Sequence, residues 1–311
     1  MKTTIGVDIS KAHLNAYRLS DGASGRFPND RRGVNALIEW CGRCEIERIV
    51  YEPTGAYHRV LEERLLAANL PLAKVNPLQA RRFAQACGTR AKTDAVDAAV
   101  LARMGMALQP ATLSPPPENQ GELKALQVAR QALIKDRTAA KNRAKTLRVP
   151  LLKRQSEARL AQIARQLKAI EAEMRRLIAK DPQTARAFEI LCSIPGVSDI
   201  TAAALIVEMP ELGTLDAKSA ASLAGLAPMT RQSGAWNGKR FIQGGRKHLR
   251  DALYMPALVA SRFNPDLKAK YHQLREAGKP AKVALTAIMR KLIILANALI
   301  RDRRTWTPNR A

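Results

Sequence analysis

Three consecutive prolines, Pro115 to Pro117 in QPATLSPPPENQ, constrain this chain more than any other feature. Proline lacks an amide hydrogen and clashes with the preceding helical turn, so neither a helix nor a central strand runs through such a stretch. The 311 residues are therefore read as parts on either side of a Pro-rich linker, 110–121. That length suits roughly two domains.

Residues 1–109 alternate in character. TTIGVDI reads as an apolar strand, and HLNAYRLS as a second with period-two patterning. GVNALIEWC is helical, and ERIVYE is a third strand closed by PTG. YHRVLEERLLAAN carries Val60, Leu61, Leu65 and Leu66 on one helical side. LPLAKVN is a further strand, PLQARRFAQAC a further helix, and a last helix runs from Thr93 to near Met106. Hairpin strands followed by βα alternation indicate an α/β domain with a mixed sheet.

Beyond the linker the chain reads as α. In residues 122–180, Leu160, Ile163, Leu167, Ile170, Met174 and Leu177 step by 3 and 4, a heptad seam. Pro150 separates two helices, as an antiparallel hairpin or a dimerising coil. The flanking Lys and Arg favour an extended basic coiled-coil arm over an ordinary amphipathic helix. Residues 181–311 read as a mainly helical domain. Within it LCSIPGVSDITAAALIVEM has the pattern of a helix-hairpin-helix. Such a turn either points backbone N–H groups at a phosphate or is a plain helical hairpin. The Gly-rich stretch RQSGAWNGKRFIQGGRKHLRDALY follows.

Charge decides the partner class. The chain carries a net charge of +25, which a merely soluble protein does not need. Residues 122–180 hold +11 and residues 229–311 hold +14, while 1–121 hold +4 and 181–228 hold −4. Two segments thus supply the whole excess. Clustered cations gain free energy by releasing counterions from nucleic acid, so DNA or RNA is the expected partner. No membrane partner is expected: the longest apolar run, LIILANALI at 292–300, falls short of a span. The polar residues of MKTTIGVDIS do not make a signal peptide. Cys41 and Cys44 form one CxxC, but Cys87 and Cys192 stand apart with no nearby His, so reduced thiols in the cytoplasm are expected over a zinc site.

Four acids stand out. Asp8 ends the strand of IGVDIS, and Glu52 ends that of IVYEPTG. Asp94 and Asp97, in KTDAVDA, leave one face of a helix about a turn apart. An ionised acid at an apolar strand end is costly unless solvated, paired or bound to a metal. Singly each has an ordinary reading, as a turn residue or a helix cap. Together, four carboxylates suit two hard divalent ions and the phosphoryl transfer such a pair supports.

IGVDIS, IVYEPTG and KTDAVDA resemble the Asp-Glu-Asp-Asp set of a RuvC-like, ribonuclease-H-type domain. RQSGAWNGKRFIQGGRKHLRDALY resembles the second signature of the DEDD insertion-sequence transposases, a family that includes the Piv-type DNA invertases. The likeness spans almost the whole chain: a catalytic domain at 1–109, an arm at 122–180 and a transposase domain at 181–311. It implies that Asp8, Glu52, Asp94 and Asp97 bind Mg²⁺, two ions per site, with Mn²⁺ as a substitute. It implies that Ser233 attacks DNA and forms a transient phosphoserine link. It also implies a structured guide RNA, a homodimer or homotetramer, and action on DNA in a prokaryotic cytoplasm. Arg90 and Lys92 precede the acids, and Arg231, Lys239, Arg240, Arg246, Lys247 and Arg250 surround the serine; these are the expected phosphate contacts.

Two other readings compete. A RuvC-like junction resolvase needs only the four acids, uses water as nucleophile and leaves Ser233 structural. A non-catalytic architectural binder explains the charge and leaves the acids unexplained.

Overall fold

The computed structural model describes residues 2–42, 44–88, 94–113, 119–234 and 236–308, with the backbone alone for Asp94 and Ala95. Arg90, Lys92 and the three linker prolines lie outside the described residues. The chain forms two compact units, 1–116 and 117–311.

The first unit runs β1 (Thr3–Ile9), β2 (His13–Arg18), β3 (Ser24–Pro28), α1 (Arg31–Cys41), β4 (Ile46–Tyr51), α2 (Arg59–Ala67), β5 (Leu72–Lys74), α3 (Pro77–Ala86) and α4 (Asp94–Leu108). Its sheet has the order β3-β2-β1-β4-β5. β2 is antiparallel to β1 and β3, whereas β4 is parallel to β1 and β5. This mixed topology is compatible with an RNase H-like domain. Strand alternation sorts the side chains into two layers. Ile5, Val7, Ile9, Ile49 and Tyr51 share one core with Leu37, Leu61 and Leu65 of α1 and α2. Val50, Ala73 and Val75 share the other with Ala80 of α3 and with Leu101 and Met104 of α4.

Glycine lets α4 sit directly on the central strand. A Cβ at Gly6 would overlap the Ala98 carbonyl oxygen and the Ala102 amide nitrogen. One at Gly105 would meet Thr4 and Val50. Gly105 therefore lies over Thr4, and Ala98 to Ala102 over Gly6, so α4 runs antiparallel to β1. Its N-terminus points toward Asp8, the next residue of β1 on that face.

The second unit runs α5 (Gln120–Ala144), α6 (Pro150–Lys180), α7 (Pro182–Cys192), α8 (Asp199–Glu208), α9 (Ala217–Leu223), β6 (Pro228–Met229), β7 (Gln232–Ser233), β8 (Trp236–Asn237), β9 (Phe241–Ile242), α10 (Lys247–Phe263), α11 (Pro265–Glu276) and α12 (Ala281–Arg301). α5 and α6 form an antiparallel hairpin. Leu123 packs with Met174 and Leu177, and Arg130 pairs with Glu171 at 2.8 Å. The heptad face of α6 thus lies against α5 of the same chain. Between α7 and α8 the half-buried Pro195–Gly196 turn rests on α10, where a Cβ at Gly196 would press on Pro256 and Ala260, while Ser198, Asp199 and Ile200 at the start of α8 are exposed.

α12 corrects one expectation from the sequence. The run at 292–300 lies within a helix of 21 residues, Ala281–Arg301, that is long and apolar enough to cross a membrane. Its apolar side is the centre of the unit's core, where Ile288, Leu292, Ile293 and Ala296 are fully buried. Asn297, also on α12, accepts from the Gly213 amide at 2.8 Å and donates to the Leu215 carbonyl at 2.7 Å. Burial within the unit accounts for the helix's hydropathy.

Candidate active site

The ends of β1 and β4 and the start of α4 converge on one face of the sheet. In the β1–β4 register Val7 is opposite Tyr51, so Asp8 and Glu52 follow at neighbouring strand ends. Alternation puts Asp8 in line with Thr4 and Gly6, and Glu52 in line with Arg48 and Val50, all toward α4. Asp8, Glu52 and Asp97 are each half-buried. α4 begins at Asp94, whose side chain is outside the described residues. Asn15 stands directly opposite Asp8 on β2 and so shares its face. Periodicity gave no hint of Asn15, because only the pairing register brings it to the site.

Among the described residues no group of three or more His, Cys, Asp or Glu stands close enough to hold a metal. Asp8, Glu52 and Asp97 are among those residues; the Asp94 side chain is not. The donor chemistry fits a hard divalent cation: carboxylate oxygens and one amide, half-buried at strand ends, where charge otherwise costs free energy.

Behind Glu52, on the opposite face of β4, lies a polar cluster that sequence reasoning missed. The Tyr51 hydroxyl donates to Glu62, Lys74 pairs with Glu62 at 2.8 Å, and His58 Nε2 lies 3.6 Å from the same carboxylate. Burial pushes the Tyr51 hydroxyl pKa up, and the hydrogen bond to Glu62 adds to it. Burial and then the Lys74 ammonium lower that of His58. Burial alone would raise Glu62, but hydrogen bonds from Lys74 and Tyr51, with the nearby positive charge, hold it below the ordinary carboxylate value. A carboxylate depressed in the folded state stabilises above its unfolded pKa, and that contribution is lost as pH falls through the folded value. The stability advantage of the wild type over Glu62→Gln is therefore expected in full at pH 7 and should shrink below about pH 4.3. Urea unfolding at pH 7 and pH 3 checks this; an equal difference at both would remove the ionised Glu62 from the account.

In the second unit Ser233 sits on an exposed ribbon. Pro228 and Met229 pair with Ile242 and Phe241 at the base, and Gln232 and Ser233 pair with Asn237 and Trp236 at the tip. Gly234 turns the chain after the serine at φ +55°. Arg231 lays its guanidinium 4.6 Å from the Phe241 ring centre, and Lys239 and Arg240 are exposed on the same ribbon. The three further cations expected around the serine each have a partner within the unit. Arg246 donates to both Glu211 carboxylate oxygens at 2.7 and 2.6 Å and to the Glu208 carbonyl at 2.8 Å. Glu208 in turn binds Lys124 of α5 at 2.7 Å. Lys247 pairs with Asp251 at 2.5 Å, and Arg250 donates to the Gly244 carbonyl at 2.7 Å.

Comparison with known proteins places both halves. Residues 5–148 match the model of a DEDD transposase, and residues 188–272 match that of the "Transposase IS116/IS110/IS902 family". The pilin gene-inverting protein of Moraxella lacunata is 31% identical over 98% of both chains. This chain belongs to the DEDD insertion-sequence transposase family. An insertion element IS116 protein of Streptomyces clavuligerus is 26% identical over 98% of this chain and 96% of its own. An insertion element IS900 protein of Mycobacterium paratuberculosis is 30% identical over 48% of this chain and 39% of its own. This transposase is thus an enzyme that acts on DNA, and the four-acid set for which its family is named implies a divalent cation.

Proposed function

We propose that this transposase moves an insertion sequence by cutting and rejoining DNA, with a carboxylate centre and a serine nucleophile. What supports the reading is that Asp8 and Glu52 follow one another at neighbouring strand ends, and that α4, which begins at Asp94, packs on that face of β1 with its N-terminus toward Asp8. Asp8, Glu52, Asp94 and Asp97 would hold the divalent cation, Mg²⁺ in the cell. When bound, it supplies positive charge to the attacking and leaving oxygens of a phosphodiester.

The chain's own groups do the rest. The Ser233 Oγ loses its proton and forms a bond to phosphorus while the bond to one sugar oxygen breaks; that oxygen takes up a proton. The phosphoserine diester keeps the energy of the broken linkage, so a hydroxyl of another strand can displace Ser233 and seal the DNA. Serine hydroxyls attack poorly without activation. Arg231, Lys239 and Arg240 on the ribbon are suited to lower the charge penalty at phosphorus. The α5–α6 hairpin, within the +11 segment, and the +14 C-terminal segment would bind element ends, target and a structured guide RNA through backbone phosphates. A homodimer or homotetramer would bring the serine and carboxylate centres onto one DNA in the bacterial cytoplasm.

The test is a denaturing gel of the full chain with its junction DNA and Mg²⁺. Wild type should give a protease-sensitive protein–DNA band, and Ser233→Ala should give none while binding DNA within about 3-fold, because a neutral hydroxyl adds little to phosphate affinity. Free cleaved ends that persist in Ser233→Ala would make water the nucleophile and the protein a metal nuclease.

A further inference from the structure

Trp236 is paired directly with Ser233 across the ribbon and is 59% exposed. Directly paired residues of an antiparallel ribbon project from the same face, with Cβ atoms about 5 Å apart. The serine and the indole are therefore neighbours on one side of the tip. Gly238 lies beneath the benzo end of the ring: a Cβ there would stand 2.5 Å from its Cη2. The missing side chain leaves room for the indole over Gly238, with more than half of the tryptophan open to solvent. Arg231, whose carbonyl accepts from the Gly238 amide at 2.9 Å, sits across the ribbon with its guanidinium stacked on Phe241.

A large aromatic held open at a protruding tip contributes nothing to the core. It has the properties of a nucleobase platform: a rigid π-face beside cations that attract the backbone. We propose that Trp236 stacks on the base adjoining the phosphodiester that Ser233 attacks, and so sets which phosphate reaches the serine. This rests on the serine reading above. A phosphate at Ser233 would be flanked by the Arg231 guanidinium on one side and by a base seated on the indole on the other. Because every base has a π-face, the contact would position the strand with little sequence preference.

The experiment compares Trp236→Leu and Trp236→Phe in the full chain on mapped junction DNA, intact or carrying an abasic nucleotide on either side of the cut. Trp236→Phe should form the protein–DNA adduct within about 3-fold of wild type, because a ring remains. Trp236→Leu should slow it by about 10- to 100-fold. One abasic position should slow the wild type by a similar factor and Trp236→Leu no further, since both remove one contact. DNA should also quench the indole fluorescence of the wild type more than that of Trp236→Leu. Additive losses, or a Trp236→Leu protein that behaves as wild type while Ser233→Ala is inactive, would overturn the platform and leave the serine reading standing. An adduct that persists in Ser233→Ala would sink the serine reading itself, and with it the register of Trp236 to the cut.

Discussion

Gly6→Ala is expected to unfold or loosen the first unit, although it adds a single methyl group. The new Cβ would occupy the space of the Ala98 carbonyl and Ala102 amide, which are backbone atoms and cannot rotate away. Either α4 lifts from β1 or the strand bends. Forcing extra carbon into a packed contact costs typically 1–3 kcal/mol, and more where backbone must move, so a loss of about 3 kcal/mol is expected. For a unit of this size that corresponds to a fall in thermal midpoint on the order of 10–20 °C. Catalysis should fail with it, because α4 carries Asp94 and Asp97 to the ends of β1 and β4. Thermal unfolding with limited proteolysis checks the result. A Gly6→Ala protein as stable and active as wild type would mean that α4 does not rest on β1 in this way.

Asp8→Asn and Asp97→Asn are each expected to slow DNA cleavage by about 1,000-fold or more, several kcal/mol of transition-state stabilisation. The amide keeps the shape of the carboxylate and removes its charge, so folding should survive. DNA affinity should survive too, because the positive charge is concentrated in residues 122–180 and 229–311. Single-turnover cleavage and filter binding separate the two effects. Near-normal cleavage by both variants would place the chemistry elsewhere and return the acids to roles as a turn residue and a helix cap.

The parts of this fold that follow local rules were legible in the sequence. β1 and β4 carry apolar runs, IGV and IVY, each followed directly by an acid, and α2 and α3 have clear helical spacing, so Asp8 and Glu52 were legible as acids at strand ends. β3 was not legible: SGRFP alternates in burial but carries Gly, Arg and Pro and exposes three of its five residues. The ribbon at 228–242 is held by strand pairs of two residues each, too short for periodicity to register, so the setting of Ser233 and Trp236 stayed hidden in a Gly-rich stretch. The heptad face of α6 was correctly read as apolar, but its spacing is the same whether the partner is α5 or a second copy. Long-range pairs were beyond reach for the same reason. Arg246 sits among cations in sequence, and only the fold brings Glu211 and the Glu208 carbonyl to it, 35 and 38 residues away. Asn15 is brought opposite Asp8, and Tyr51 beside Lys74, by strand register, with Glu62 reaching the latter pair from α2.

The central claim is that two strand ends and one helix start form a single carboxylate centre. Calorimetric titration of Mn²⁺ into the full chain bound to its junction DNA tests it most directly, using wild type, Asp8→Asn and Asp97→Asn. One shared centre predicts that each substitution weakens the same tight binding event, by about 10-fold or more. Tight Mn²⁺ binding that is unchanged in both variants would contradict it.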